Sequence, residues 1–137
     1  MIAAKQSAAV IQTVLLVEDE VIARMMLAEY LRDCGYKVVE AADTDEALIV
    51  LQHTEIEVGV VLCGISKTGS AGGFALSQWI RSTRPWTQVI LAGNHERSAD
   101  AAGELCEAGP MLAKPYEPQL VLDRIKRLLA ARPSPQT

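Results

Sequence analysis

The chain has 137 residues, of which 50% are hydrophobic and 22% are charged, and its net charge at pH 7 is −4. This length suits one domain with its own core and is too short for two ordinary domains. The acidic balance, without a cluster of Lys or Arg, argues against nucleic-acid binding. No apolar run reaches the roughly 18 residues that cross a bilayer. We therefore expect one cytoplasmic domain that binds neither nucleic acid nor membrane.

The first half of the chain alternates apolar strands with helices. Residues 14–17 form a continuous apolar run, typical of a strand buried on both faces, and three acidic residues follow it. Apolar residues recur at helical spacing over 21–33, and a glycine then marks the helix end. A β-branched strand over 37–41 precedes a helix over 43–52, whose Asp43 and Glu46 resemble a capping box. The strand–helix unit thus occurs twice.

The second half repeats this unit three more times. The sequence predicts strands at 58–62, 88–92 and 111–113, each followed by a helix; the last two helices are placed over 98–108 and 117–131. Alternation with short links predicts an α/β fold, a five-stranded parallel sheet that is doubly wound as (βα)5. We expect an N-terminal extension over 1–12, one domain over 13–131 and a flexible tail over 132–137. In such sheets chemistry collects at the carboxyl ends of the strands.

Three motifs stand at those strand ends: VLLVEDE at 14–20, GSAGGFALSQWIR at 69–81 and LAKPY at 112–116. Together they resemble the receiver domain of two-component response regulators, and the resemblance covers roughly residues 13–131. It implies a flavodoxin-like receiver fold and a function in phosphorelay signal transduction. Family members hold Mg²⁺ with an acidic pair after the first strand and the phospho-accepting aspartate after the third. A Ser or Thr after the fourth strand and a Lys after the fifth contact the phosphoryl group.

Part of this site is present in the sequence. Glu18 and Asp19 match the acidic pair, and Asp19 is the expected direct metal ligand, since carboxylate oxygens suit a hard cation. Lys114 matches the phosphoryl-contact lysine, and Pro115 after it is a candidate for a cis peptide bond. The residues alone also permit a plainer interpretation. The acidic run could be a helix start favoured by the helix dipole, and Lys114 could simply pair with Glu18 or Asp19.

The other part of the site is replaced. Gly64 stands at the acceptor position and has no side-chain oxygen that could attack phosphorus or bind Mg²⁺. A slip of one residue would place Cys63 there, which is no ordinary phosphoryl acceptor either. Gly93 and Met111 replace the hydroxyl and the aromatic ring of the usual switch. We therefore expect a pseudo-receiver that is not phosphorylated at the usual position, requires no cofactor and binds Mg²⁺ only weakly.

The resemblance then predicts a stand-alone receiver that is not an enzyme and acts through protein–protein interaction. Its expected partner is a histidine kinase, a phosphotransfer protein or an output protein, bound through the face of the last two helices. Homodimerisation through that face is a further expectation, because family members commonly use it in this way.

Three alternatives stay open at this stage. A phosphorelay receiver could use a non-standard acceptor in the loop after the third strand, at Ser66, Thr68 or Ser70. An anion- or small-molecule-binding module could use backbone N–H groups at a glycine-rich helix start, formed by Gly69, Gly72 and Gly73. A thiol sensor could use Cys63 if a nearby lysine lowers the pKa of its thiol, although burial beside carboxylates favours an inert cysteine.

Overall fold

The computed structural model describes residues 11–53, 55–64, 72–93 and 112–131. The strands are β1 (Thr13–Val17), β2 (Lys37–Ala41), β3 (Val60–Gly64), β4 (Gln88–Gly93) and β5 (Leu112–Ala113). The helices are α1 (Val21–Asp33), α2 (Thr44–Leu51), α3 (Gly72–Thr83) and α4 (Pro118–Ala131). Within these residues the predicted alternation of strands and helices is confirmed.

All five strands lie in one parallel sheet, in the order β2-β1-β3-β4-β5. After β1 the chain adds β2 on one side, and it then returns to place β3 on the other side. The strand order therefore reverses at β1, and the crevice outside the carboxyl ends of β1 and β3 is the topological switch point. The predicted doubly wound parallel sheet is confirmed.

Two apolar clusters cover the two faces of the sheet. On one face, alternate strand residues such as Leu15 and Val61 pack with buried side chains of α2 and α3. On the other face, Leu16 and Leu62 pack with buried side chains of α1 and α4. Side chains alternate between faces along a strand, which explains why continuous apolar strands are needed to fill both clusters.

Local signals in the sequence set the ends of two helices. The Asp43 carboxylate accepts a 2.9 Å hydrogen bond from the Glu46 N–H, and the Glu46 side chain in turn accepts one from the Ala42 N–H. This is the function expected of a capping pair. Gly35 has a φ of 102°, and the N–H groups of Gly35 and Tyr36 bond back into the last turn of α1. Glycine is suited to this left-handed position after a helix.

The predicted position of the third strand is wrong by two residues. β3 begins at Val60 and includes Cys63 and Gly64, because parallel pairing with β4 continues to the end of that segment. Val58 is buried but precedes the paired residues. The helix predicted over 98–108, most of the extension and the tail over 132–137 lie outside the described residues. No helix among the described residues is long and apolar enough to span a bilayer.

Candidate functional site

The carboxyl ends of β1, β3 and β5 bring three predicted site residues together. Glu18 directly follows β1, Gly64 ends β3, and Lys114 directly follows β5. By strand alternation, Glu18 continues the face of Leu16 and Gly64 continues the face of Leu62. Both leucines belong to the apolar cluster beneath α1 and α4. The site therefore lies on that side of the sheet, next to the switch point.

Glu18 is buried, with only 1% of its surface exposed. Its Oε1 atom lies 2.9 Å from Lys114 Nζ and accepts a 2.7 Å hydrogen bond from the Tyr116 hydroxyl. Its Oε2 atom accepts a 3.0 Å hydrogen bond from the Glu20 N–H. We call Glu18, Lys114 and Tyr116 the Glu18 cluster. A buried carboxylate requires partners of this kind, because desolvation without them is costly.

Gly64 faces the Glu18 cluster at close range. A Cβ atom placed on Gly64 would lie 2.8 Å from Glu18 Oε1, 3.0 Å from Lys114 Nζ and 3.3 Å from the Tyr116 hydroxyl. The 2.8 Å contact requires the Glu18 carboxylate to shift, and the other two contacts are tighter than ordinary van der Waals contacts. The volume that a side chain would occupy at this position is therefore filled by the polar ends of the cluster.

The cluster shifts the proton affinities of its members. Burial works to raise the pKa of the Glu18 carboxyl, but hydrogen bonds from Lys114, Tyr116 and the Glu20 N–H outweigh it, so the pKa lies below its ordinary value. Burial, together with the hydrogen bond to Glu18, raises the pKa of the Tyr116 hydroxyl. At neutral pH the cluster consequently holds an ionised Glu18 carboxylate and a neutral Tyr116 phenol, whose hydroxyl donates a hydrogen bond to the carboxylate.

Asp19 occupies a different environment from Glu18. It is exposed and lines an open cleft of about 400 Å³. The other residues that line the cleft are Glu20, Ala23, Lys114, Pro115 and Tyr116. The acidic pair of the sequence is thus divided, with one carboxylate inside the protein and the other at its surface.

Cys63 points away from the Glu18 cluster. Its buried side chain belongs to the apolar cluster beneath α2 and α3, on the opposite face of the sheet. Burial and the nearby charge of Glu18 raise the pKa of the thiol to about 12. A thiol that stays protonated is a poor nucleophile, so the structure favours the inert cysteine over the thiol sensor.

The other positions that the resemblance singled out are only partly described. The Lys114-Pro115 peptide bond is cis, as expected. Gly93 is buried at the end of β4, but Ala92 is the residue that pairs with Gly64 and packs in the same apolar cluster as Leu62. Neither Ala92 nor Gly93 carries a hydroxyl. Met111 lies outside the described residues.

The described residues do not fit a resident Mg²⁺ ion. They include no group of three or more His, Cys, Asp or Glu side chains that could hold a metal. Both oxygens of Glu18 already accept hydrogen bonds or an ion pair, and Gly64 has no side chain to contribute. Mg²⁺ in proteins keeps several waters and is bound through one or two carboxylates, and of the two matched carboxylates only Asp19 reaches the surface.

Tyr116 is the site residue that sequence reasoning missed. Its signal is present in the LAKPY run, where it follows the matched lysine by two residues, but its contact with Glu18 joins residues 98 positions apart. The alternative acceptors Ser66, Thr68 and Ser70 lie outside the described residues, as does Gly69. Gly72 and Gly73 begin α3, so two of the three glycines of the proposed cradle are described.

Residues 14–126 match the sequence model of the family described as "Response regulator receiver domain". The Regulatory protein VirG of Rhizobium rhizogenes is 29% identical over 122 residues, which are 88% of this chain and 49% of that protein. The Sensor kinase CckA of Brucella abortus is 31% identical over 118 residues, which are 85% of this chain and 12% of the kinase. The chain thus spans about half the length of the first curated relatives that it matches.

Solved structures of receiver domains have a fold similar to that of this chain. A response regulator receiver protein from Sinorhizobium medicae WSM419 superimposes with a TM-score of 0.80 at 21% identity, over 90% of this chain and 98% of that one. At this identity the likeness concerns the fold alone, and the fold agrees with the doubly wound sheet described above.

Proposed function

The chain belongs to the response regulator receiver domain family, and from that premise we propose that it is a pseudo-receiver, a non-enzymatic signalling module that is not phosphorylated at the usual position. The observation that carries this proposal is the glycine at the end of β3. Receivers accept a phosphoryl group on a carboxylate oxygen, which attacks phosphorus to form an acyl phosphate. Gly64 has no such oxygen, and Cys63 faces the opposite side of the sheet.

The surroundings of Gly64 support the same proposal. The polar atoms that would surround an acceptor side chain instead contact one another within the space that the side chain would need. A phosphoryl group biases a receiver between two conformations through contacts that it makes in only one of them. Without this modification, the domain rests in the conformation that its own packing and hydrogen bonds favour.

We propose that this domain acts through protein contacts and requires no cofactor. The partner would be a histidine kinase, a phosphotransfer protein or an output protein, consistent with relatives that are regulatory proteins and a sensor kinase. The proposed contact face includes α4, which exposes Leu120, Lys126 and Arg127. A homodimer through this face is part of the proposal. The preceding helix of the sequence prediction lies outside the described residues.

The test is incubation of the purified chain with acetyl phosphate and Mg²⁺, followed by intact-mass measurement. A receiver that has the acceptor aspartate serves as the positive control. We expect the mass of this chain to stay unchanged while the control gains a phosphoryl group. Addition of a few millimolar Mg²⁺ alone should leave the melting temperature almost unchanged, because a ligand stabilises only in proportion to its binding. A gain of one phosphoryl group, located by fragmentation to residues 63–70, would overturn the proposal.

A further inference from the structure

We infer that the vacated acceptor pocket is an anion site which the chain fills with its own carboxylate, that of Glu18. The inference rests on the proposed function only where Gly64 is taken as the acceptor position. Its basis is the convergence of three donors on one buried carboxylate: Lys114 Nζ at 2.9 Å, the Tyr116 hydroxyl at 2.7 Å and the Glu20 N–H at 3.0 Å.

The three donors suit an anion and do not suit a cation. A lysine ammonium, a phenol and a backbone N–H at the start of α1 all present hydrogen atoms, and none of them is a metal ligand in this protonation state. Hydrogen bonds to an ionised group are stronger than those between neutral groups. The Glu18 carboxylate that accepts them is shielded from solvent. The carboxylate that they hold is 1% exposed, so the position between the three donors is already occupied, although Lys114 and Tyr116 also line the open cleft beside Asp19.

Gly64 makes room for this internal anion. A Cβ atom at that position would meet Glu18 Oε1 at 2.8 Å and Lys114 Nζ at 3.0 Å. The inward position of Glu18 therefore depends on the absence of a side chain at position 64. The carboxylate that the resemblance assigns to the acidic pair compensates the lysine charge that an acceptor aspartate would otherwise face.

The arrangement also has a conformational consequence. Glu18 follows β1, Lys114 follows β5, and Tyr116 precedes α4 by two residues. The internal anion thus joins the centre of the sheet to the junction between β5 and α4. The ion pair of Lys114 and the hydrogen bond of Tyr116 therefore tie this junction to the end of β1.

Removal of the internal anion should expose the site to an external one. The Glu18→Ala variant leaves the three donors around a vacancy that a small carboxylate can enter. We expect formate or acetate to raise the melting temperature of this variant with saturation, by about 5 °C at ten times the dissociation constant. Chloride at equal ionic strength should not do so. No carboxylate-specific rise in melting temperature is expected for the wild type, for Glu18→Gln or for the exposed-site control Glu29→Ala. Addition of Lys114→Met to the Glu18→Ala variant should abolish the rise that this variant shows.

A second measurement covers the case in which Glu18→Ala does not fold. Gly64→Ala should lower the melting temperature of the wild type, because its Cβ atom displaces the carboxylate. The same substitution should cost less in a Glu18→Asp background, where the shorter side chain withdraws the oxygens. Equal penalties in the two backgrounds, or no carboxylate rescue of a folded Glu18→Ala variant, would refute the internal anion. Both measurements use unphosphorylated protein, so their failure leaves the acetyl phosphate test of the proposed function standing.

Discussion

The Glu18 cluster and the ion pairs of Glu40 each place one glutamate between several donors, but in different surroundings. The Glu18 side chain is fully buried, whereas the Glu40 side chain on β2 is 26% exposed. Glu40 lies 3.2 Å from Arg24 Nε and 3.2 Å from Arg32 Nη1. The Glu18 contacts, at 2.7 to 3.0 Å, are shorter than the Glu40 contacts, and the Glu18 side chain is the more buried of the two.

This difference decides how much each group contributes to folding. An exposed ion pair contributes little, because water solvates the separated charges nearly as well. A buried carboxylate that loses its partners retains the desolvation penalty without the compensation, so its disruption is expensive even where its formation yields little net stability. The buried cluster should therefore contribute more to stability and to the local conformation than the Glu40 ion pairs, because the side chains of Arg24, Glu40 and Arg32 are 16%, 26% and 47% exposed.

The largest effect is expected from Lys114→Met. This substitution removes the cation that faces Glu18 at 2.9 Å and keeps a side chain of similar length. We expect a loss of about 3 kcal/mol in the free energy of unfolding, the lower end of the range for breaking a buried pair, because Lys114 is itself partly exposed. Urea unfolding measures the loss. Lys126→Met on the exposed side of α4 is the matched control, and equal losses in the two variants would contradict the comparison.

A smaller effect is expected from Tyr116→Phe, which removes only the hydroxyl that donates to Glu18 at 2.7 Å. A hydrogen bond to a charged group contributes roughly 1.5–3 kcal/mol, so the free energy of unfolding should fall by about 2 kcal/mol. The control is Tyr30→Phe, whose hydroxyl donates at 3.1 Å to Gln119 in an exposed bond. We expect the control to lose less than about 1 kcal/mol. The comparison fails if Tyr30→Phe costs as much as Tyr116→Phe.

Much of this architecture was predictable from sequence, because it depends on local patterns. Continuous apolar runs indicated strands buried on both faces, and Asp43 with Glu46 marked the start of α2 through a capping contact that the structure contains. The pairing of Lys114 with Glu18 was anticipated as the plainer of two interpretations. These features follow from residue spacing and from charges at the strand ends, both of which can be read without coordinates.

The division of the acidic pair was not predicted. Strand alternation would place Glu18 on the same face of the sheet as Leu16 and Asp19 on the other face. This inference holds only if the chain stays extended past Val17, which the sequence does not specify. The contact of Tyr116 with Glu18 depends on the path of the chain after β5, which no local pattern specifies. The filled space beside Gly64 depends on three side chains from distant segments. Such properties belong to packing, which sequence periodicity does not encode.

The smallest effect is expected from Glu40→Gln, which removes the charge between Arg24 and Arg32 while keeping the side-chain shape. We expect a loss of about 1 kcal/mol in the free energy of unfolding, and a loss that shrinks as salt is added, since screening weakens pairs that water still reaches. Arg24 is left intact deliberately, because its Nη1 also donates at 2.7 Å to the Glu18 carbonyl. Urea unfolding at low and high salt measures both quantities. A salt-independent loss as large as that of Lys114→Met would mean that burial does not distinguish the two groups. The Glu18 cluster would then contribute no more to the stability of the fold than the Glu40 ion pairs.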